Sequence, residues 1–250
     1  MTDISYKDIE RAAERLDDES VVKHTPVEYS GLLSERVGGE VYLKMEHLQW
    51  TGSFKTGGAY NTIRKLSEQD GVDRVVAASA GNHAQGIALA ATKLGVNSTV
   101  VMPKTAPQTK IDATREYGAS VELHGKKFQA AVSRARILAA DGNATFIHAY
   151  DDPDVVAGQG TLGIEMYEDF PSIDTIVVPI GGGGLIAGIA TVFKEVHPET
   201  RIVGVQAEDA ATVPDSLKKG IPQTLEVADT IADGIATGGI SERTLEITQL

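Results

Sequence analysis

The feature that most constrains the fold is a regular alternation of short apolar segments with longer helix-forming segments. Apolar or alternating runs predict strands at 41–46, 75–78, 98–102, 120–123, 145–147, 175–180 and 201–206. Helices are predicted between them, at 58–66, 84–94, 107–117, 128–140, 155–167 and 185–196. Repeated β-α-β units with short apolar strands are typical of parallel sheets covered by helices. The sequence therefore predicts an α/β protein.

The segments outside this alternation follow weaker signals. Residues 5–16 predict a helix capped by Ser5, and residues 29–37 predict a second short helix. The cluster Asp-Asp-Pro-Asp at 151–154 predicts a turn and the start of a helix, because acidic residues are favoured at helix N-termini.

Composition excludes several classes of function. The chain has 250 residues and a formal net charge of −12, from 23 basic and 35 acidic side chains. Nucleic-acid binding needs clustered Lys and Arg, so we expect no nucleic-acid partner. The absence of cysteine excludes disulfides, thiolate metal sites and cysteine nucleophiles. No apolar run approaches the ~20 residues of a membrane span and the N-terminus lacks a signal-peptide pattern, so we expect no membrane partner and a cytoplasmic protein.

One lysine stands among small residues between a predicted strand and a predicted helix. The stretch 51–59 reads TGSFKTGGA, with Lys55 at its centre. Schiff-base chemistry needs an amine that can lose its proton, surrounded by backbone with little side-chain bulk. Helix capping by Ser53 explains part of this pattern without any chemistry. Lys55 is therefore the candidate for holding a cofactor aldehyde.

A second loop follows the strand at 75–78 and reads SAGNHAQG over 79–86. A strand-to-helix turn of small residues leaves backbone N–H groups free to bind an anion such as a carboxylate. Asn82 adds an amide and Ser79 a hydroxyl, both able to hydrogen-bond a ligand. The alternative is an ordinary polar loop with Asn82 in a left-handed conformation.

The third motif is a run of four glycines at 181–184, between a predicted strand and a predicted helix. Without Cβ atoms, several N–H groups can converge on a phosphate at the positive end of the helix. A tight turn needs only one or two glycines, so phosphate binding is favoured. The spacing Gly182-x-Gly184-x-x-Ala187 also fits a dinucleotide pattern, which leaves a nicotinamide-dependent oxidoreductase as an alternative.

Other common sites are missing from the sequence. The six histidines form no metal-binding pair of the H-E-x-x-H type. Neither a G-x-S-x-G nucleophile elbow nor a P-loop lysine is present, which argues against common hydrolases and NTPases.

Taken together and in this order, the three loops resemble those of the fold-type II pyridoxal-phosphate enzymes, most closely the threonine dehydratase (threonine ammonia-lyase) family. The similarity runs from about residue 25 onward and includes 41–59, 79–86, 100–104, 151–160, 178–189 and 232–234. It implies a two-lobed, tryptophan synthase β-like fold, with a large lobe at 1–50 and 149–250 and a small lobe at 51–148. Because Leu250 comes where such enzymes continue, we expect the C-terminal part of the large lobe to be missing and cofactor binding to be weakened.

The resemblance implies pyridoxal 5′-phosphate as cofactor and a role for each loop. Lys55 would form the Schiff base and remove the substrate Cα proton, Phe54 would lie against the cofactor ring, and Asn82 would hydrogen-bond its phenolic oxygen. The residues implied for the cofactor phosphate are Gly181, Gly182, Gly183, Gly184 and Leu185. Those implied for the substrate carboxylate are Ser79, Ala80, Gly81, Asn82 and His83. The implied reaction is deamination of L-threonine, and of L-serine, to a 2-oxo acid and ammonia.

Alternatives within the family remain open. Serine racemases similar to these enzymes place a second serine where this chain has Ala80, so we expect elimination to exceed racemisation. The positions that match the carboxylates of their cation site are Gln206 and Thr212, so we expect no metal. A shortened, catalytically impaired homologue is the other alternative. The resemblance also implies a small amino-acid substrate and a homodimer or homotetramer.

Overall fold

The computed structural model describes residues 4–68, 72–141, 144–225 and 228–249. The helices are α1 Tyr6–Arg15, α2 Gly31–Val37, α3 Lys55–Ser67, α4 Asn82–Lys93, α5 Gln108–Glu116, α6 Phe128–Ala140, α7 Pro153–Asp169, α8 Gly184–Val196, α9 Val213–Lys219 and α10 Glu242–Thr248. The strands are β1 Val27–Tyr29, β2 Tyr42–Lys44, β3 Arg74–Ala78, β4 Asn97–Met102, β5 Ser120–Leu123, β6 Ala144–Ile147, β7 Thr175–Pro179 and β8 Arg201–Val205.

The strands form two parallel sheets and one antiparallel pair. One parallel sheet has the order β5-β4-β3-β6, and the other pairs β7 with β8. The predicted β-α alternation and the parallel sheets are therefore confirmed, with boundaries shifted by up to three residues. The four-stranded sheet falls inside the expected small lobe and the β7–β8 pair inside the expected large lobe, while the lobe boundaries themselves stay a prediction. Leu250 lies outside the described residues.

Three short elements differ from the prediction. The segment 27–29 is a strand paired antiparallel with β2, and helix α2 begins only after Ser30, whose hydroxyl accepts the Leu33 N–H. The predicted helix start at residue 29 is therefore wrong, because a three-residue strand carries too little periodicity to be recognised in the sequence. Helices α9 and α10, of seven residues each, were not predicted.

Three helices cross with their backbones in direct contact. Helix α7 lies between α3 and α8, and small residues line both crossings. A Cβ on Gly158 of α7 would lie 2.7 Å from the Gly57 carbonyl oxygen on α3. A Cβ on Gly188 of α8 would lie 2.6 Å from the backbone nitrogen of Gly160 on α7. Helix α7 therefore fixes the start of α3 and the start of α8 relative to each other.

Helix α7 also joins the two main apolar cores. Val155 packs with residues of α3, α4 and the four-stranded sheet, whereas Val156 on the adjacent face packs with α1, α8 and β7. Both valines are fully buried. Among the described residues, no helix is long and apolar enough to cross a membrane.

We predict that Gly188→Ala destabilises the protein by about 1–3 kcal/mol, the usual cost of overpacking. The three nearest neighbours of the new methyl group are all backbone atoms within 2.7 Å, so the two helices must separate to admit it. That separation outweighs the gain of about 1 kcal/mol that alanine normally brings to a helix. Gly31→Ala is the matched control, because its nearest neighbour is the Tyr29 ring at 3.9 Å. Equal unfolding midpoints in denaturant for the two variants would contradict the close-crossing explanation.

Candidate functional site

The loop at 79–86 and the start of α3 lie beside the segment that follows β6, and the glycine run reaches the same segment through Tyr150. Strand β3 pairs with β6, so the loop after Ala78 and the loop after Ile147 leave the sheet side by side. Lys55 begins α3 beside them, and its Nζ donates a hydrogen bond to the Ala149 carbonyl at 3.1 Å. A Cβ on Gly86 of α4 would lie 3.1 Å from the Lys55 carbonyl carbon, so α4 packs directly on the Lys55 backbone.

The Lys55 amine lies in a site that disfavours its charge. Removal from water lowers the pKa of Lys55 from 10.5 to about 8. In the part of the chain that the structure describes, no carboxylate pairs with this ammonium. The Phe54 ring centroid lies 5.1 Å from Nζ, within the range of a cation–π contact. At pH 7 roughly a tenth of Lys55 is therefore a neutral, nucleophilic amine, and at pH 8 about half of it is.

Two histidines lie close to Lys55 without compensating its charge. His83 is only 3% exposed, and burial, with smaller effects from Lys55 and His148, lowers its pKa to about 3. The Ile147 backbone acts against this lowering, but neither ring nitrogen of His83 has a partner at hydrogen-bonding geometry among the described residues. Buried polar atoms are nearly always hydrogen-bonded, so an unpaired imidazole beside Lys55 indicates a place for a ligand or a water molecule.

Asn82 is the first residue of α4, and its amide has a defined orientation. The Lys110 ammonium donates to Asn82 Oδ1 at 3.1 Å, and an ammonium can only donate, so the Asn82 NH₂ group faces away from Lys110. A Cβ built on Gly234 would lie 3.9 Å from Asn82 Nδ2, so the segment at Gly234 lies near this NH₂ group. The alternative of a left-handed Asn82 is wrong, because no described residue other than glycine has a positive φ.

The loop from Ser79 to His83 presents backbone donors. Ser79 Oγ accepts the Gly81 N–H at 3.1 Å, which closes the turn around the half-buried Ala80. The N–H groups of Asn82 and His83 lie in the first turn of a twelve-residue helix, where no intrahelical acceptor exists. This arrangement can hold a carboxylate, as the sequence analysis expected.

The glycine run begins α8 and has no room for side chains. Gly183 has a φ of 89°, and α8 starts at Gly184 with the half-buried Leu185 in its first turn. A Cβ on Gly182 would overlap the Tyr150 ring, and one on Gly181 would lie 3.0 Å from Thr237. The first-turn N–H groups of this thirteen-residue helix are donors for an anion.

Helix α10 fixes the glycine run from behind. Thr244 Oγ1 donates to the Gly182 carbonyl at 2.8 Å, and Thr244 would be 2.8 Å from a Cβ on Gly183. Neither Thr244 nor Tyr150, His148 and Lys110 was recognised in the sequence, because each belongs to an unremarkable segment. The pairing of β3 with β6 brings His148 and Tyr150 to the site, α10 brings Thr244, and the packing of α5 on α4 brings Lys110.

The positions matched to a cation site have a structural explanation. Gln206 Oε1 accepts the N–H groups of Thr212 and Val213 at 3.0 and 2.8 Å, which closes the turn before α9. Across the described ranges, no cluster of His, Asp and Glu could hold a metal ion. The expected absence of metal stays a prediction.

Comparison with known proteins decides the family. The model of the family described as pyridoxal-phosphate dependent enzymes matches residues 19–249. The chain belongs to this family. It is 47% identical, over 98% of its length, to an L-threonine ammonia-lyase of Thermotoga maritima and spans 61% of that relative. This assignment confirms the resemblance stated above and leaves the dinucleotide alternative without support.

Solved structures agree with the fold. A processed threonine deaminase isoform from Solanum lycopersicum superposes with a TM-score of 0.90 at 39% identity, covering 99% of this chain and 70% of that one. A serine racemase from maize superposes with a TM-score of 0.93 at 32% identity, covering 98% of this chain and 74% of that one. The expected fold-type II architecture is thus confirmed, whereas the roles of single site residues stay predictions.

The residues present fit pyridoxal phosphate. Lys55 offers a buried amine with a lowered pKa, and Asn82 offers an oriented NH₂ group. The glycine turn offers backbone donors where a Cβ would overlap its neighbours. The chain can therefore bind an aldehyde, a phenolic oxygen and a phosphate with separate groups.

We predict that Lys55→Met stabilises the cofactor-free protein at pH 7 by about 1–3 kcal/mol. The pKa shift from 10.5 to about 8 corresponds to roughly 3 kcal/mol, from which the lost bond to Ala149 subtracts. The folded state binds fewer protons than the unfolded state between pH 8 and 10.5, so stability of the parent rises with pH across that window and the advantage of methionine disappears above it. Denaturant unfolding at pH 7 and above 10.5 measures both effects.

The control is Lys104→Met, at an exposed lysine between β4 and α5, for which no gain is expected. A Lys55→Met protein that is no more stable than this control at pH 7 would show that Lys55 is well solvated.

Proposed function

We propose that this chain deaminates L-threonine, and L-serine less well, by eliminating the β-hydroxyl to give a 2-oxo acid and ammonia. The observation that carries the proposal is the buried, uncompensated Lys55 amine between two turns that can each bind an anion. The 47% identity to an L-threonine ammonia-lyase supports the choice of substrate. Since the chain spans 61% of that relative, activity of the chain is itself part of the proposal.

Each loop would hold one part of the reacting system. Lys55 would hold the cofactor aldehyde, Asn82 the phenolic oxygen, and residues 181–185 the phosphate. When bound, pyridoxal phosphate supplies an electron sink for the negative charge that develops at the substrate Cα. The N–H groups of Asn82 and His83, at the positive end of α4, would hold the substrate carboxylate.

Lys55 is suited to remove the Cα proton. A general base works best with a pKa near the working pH, and burial brings the pKa of Lys55 to about 8. Donation of one N–H to the Ala149 carbonyl leaves the nitrogen lone pair available and fixes its direction. Burial keeps His83 uncharged. It therefore cannot form an ion pair with the substrate carboxylate and can interact with the substrate only through neutral hydrogen bonds.

Ala80 favours elimination over racemisation. Racemisation needs a second acid–base group on the face of the substrate opposite Lys55, and the methyl group of Ala80 cannot supply a proton. The proposal therefore places this chain with the deaminases rather than with the serine racemases, although both share its fold.

The remaining expectations follow from the proposed reaction. A threonine deaminase would act in threonine catabolism or in isoleucine biosynthesis. We propose a cytoplasmic homo-oligomer, a dimer or a tetramer, without nucleic-acid or membrane partners. The net charge of −12 supports the expectation about nucleic acid.

We predict that the purified chain binds pyridoxal phosphate with a visible absorbance band and releases 2-oxobutanoate from L-threonine. Lys55→Ala should abolish the band and lower turnover by at least about 100-fold, the smallest usual contribution of a general base. Lys104→Ala should leave both unchanged. Absence of the band in the parent would contradict the proposal. A band without turnover would favour the alternative of a catalytically impaired homologue.

We predict that Ala80→Ser increases the formation of D-serine from L-serine at least about tenfold, because a hydroxyl becomes available on the second face. Ala80→Gly is the matched control, since it changes the same turn without adding a hydroxyl. Chiral chromatography of the product measures the effect. Rapid D-serine formation by the parent would overturn the preference for elimination.

A further inference from the structure

His148 is the first residue after strand β6 and is held by rings on both sides. The half-buried imidazole lies edge-to-face between Phe146, at 6.2 Å between centroids, and Tyr150, at 4.7 Å. Edge-to-face packing of this kind fixes the plane of a ring. The two nitrogens of His148 therefore have defined directions before any ligand binds.

The Nδ1 atom of His148 closes the turn that follows it. It accepts the N–H of Asp151 at 2.9 Å, and the N–H of Tyr150 lies at 3.4 Å. Because Nδ1 accepts, the ring proton of the neutral imidazole lies on Nε2. Four residues after His148, Asp152 caps α7 by accepting the N–H groups of Asp154 and Val155. Two successive side-chain acceptors thus hold the backbone from 148 to 155.

This turn carries three contacts of the candidate site. The Ala149 carbonyl accepts the hydrogen bond from Lys55 at 3.1 Å. The Tyr150 ring fills the space where Gly182 would carry a Cβ, and Asp151 pairs with Arg243 of α10 at 2.7 Å. A single imidazole nitrogen therefore connects the position of the amine with the position of the glycine turn.

The charges around His148 favour the neutral ring that this role requires. Burial lowers the pKa of His148, Arg136, Lys55 and Arg243 lower it further, and Asp151 acts in the opposite direction. His83, from α4, is neutral near pH 7. Protonation would direct an N–H of the ring at the Asp151 N–H and break the turn.

We propose that His148 is a positioning residue that sets the Lys55 amine through the Ala149 carbonyl and sets the glycine turn through Tyr150. The inference deepens the proposed function, on which it rests for the use of Lys55 and the glycine turn in binding the cofactor. Nothing in the sequence motifs pointed to this residue. Its effect is transmitted through backbone hydrogen bonds, so it needs no contact with substrate.

Two variants separate the acceptor from the ring. His148→Asn retains an acceptor, because the asparagine Oδ1 can reach the position of Nδ1 and close the same turn. His148→Phe retains the stacking ring but has no acceptor. In the cofactor-free protein, the pH dependence of Lys55 acylation by acetic anhydride, followed by mass spectrometry, measures the pKa of Lys55.

The parent and His148→Asn should show an acylation midpoint near pH 8. The midpoint of His148→Phe should be higher by at least about one pH unit, because water reaches an amine that no longer contacts the Ala149 carbonyl. His148→Phe should also bind pyridoxal phosphate at least about tenfold more weakly, measured by the absorbance titration. A parent-like midpoint and affinity in His148→Phe would overturn the proposal.

Further outcomes keep the test decisive. Thermal unfolding shows whether each variant is folded. If His148→Phe is unfolded, the acylation midpoint of His148→Asn decides. A midpoint near 8 in that variant supports the proposal, and an upward shift of its midpoint overturns it. If the parent forms no band with pyridoxal phosphate, the proposed function fails, but the acylation midpoints still decide the role of His148.

Discussion

The structure depends on the contact of bare backbone where α7 crosses α3 and α8. Gly158 and Gly160 on one helix meet Gly57, Gly58 and Gly188 on the other two, and a Cβ on Gly58, Gly158 or Gly188 would lie within 2.7 Å of backbone on the neighbouring helix. Helices packed through side chains tolerate shifts of a few tenths of an ångström, whereas backbone on backbone has one closest approach. The start of α3 and the start of α8, which carry Lys55 and the glycine run, are therefore placed by steric exclusion, which hydrogen bonds from Gly58 and Asn61 to α7 reinforce at α3.

Within the described part of the chain, several polar and charged groups of the candidate site lack a partner of opposite charge or a hydrogen-bonding partner. Among the described residues, Lys55 has lost water without gaining a carboxylate and His83 without gaining a hydrogen bond, while the helix starts at Asn82 and Gly184 direct partial positive charge inward. Each of these features lowers the stability of the empty protein or leaves donors unpaired. An anionic ligand with an aldehyde would supply partners for all of these groups at once. The interactions that bind the ligand are therefore the same ones that would stabilise the protein.

The β-α order was predictable from sequence because buried strands and helices each impose a period on apolar residues. Segment 120–123 and segment 128–140 were placed without error. The three-residue strand at 27–29 is too short to show a period and was missed, as was α10, although α2 of the same length was predicted. The three loops of the site were recognised by composition. The supporting residues Tyr150, His148 and Thr244 were not recognised. They act through contacts between distant segments, which no local sequence pattern predicts.

The unrecognised residues share a physical property that explains why they escaped. Lys110, His148 and Thr244 each form a hydrogen bond that sets the direction of a neighbouring group. Lys110 donates to the Asn82 side-chain amide, His148 accepts the backbone N–H of Asp151, and Thr244 donates to the Gly182 carbonyl. A motif can state that an amide or a carbonyl is present, but its direction depends on partners elsewhere in the chain. Lys110 decides which end of the Asn82 amide faces the site, and the turn closed by His148 decides where the Ala149 carbonyl receives Lys55. In this protein the motifs supply the chemical groups, and residues outside them supply the orientation that the proposed reaction needs.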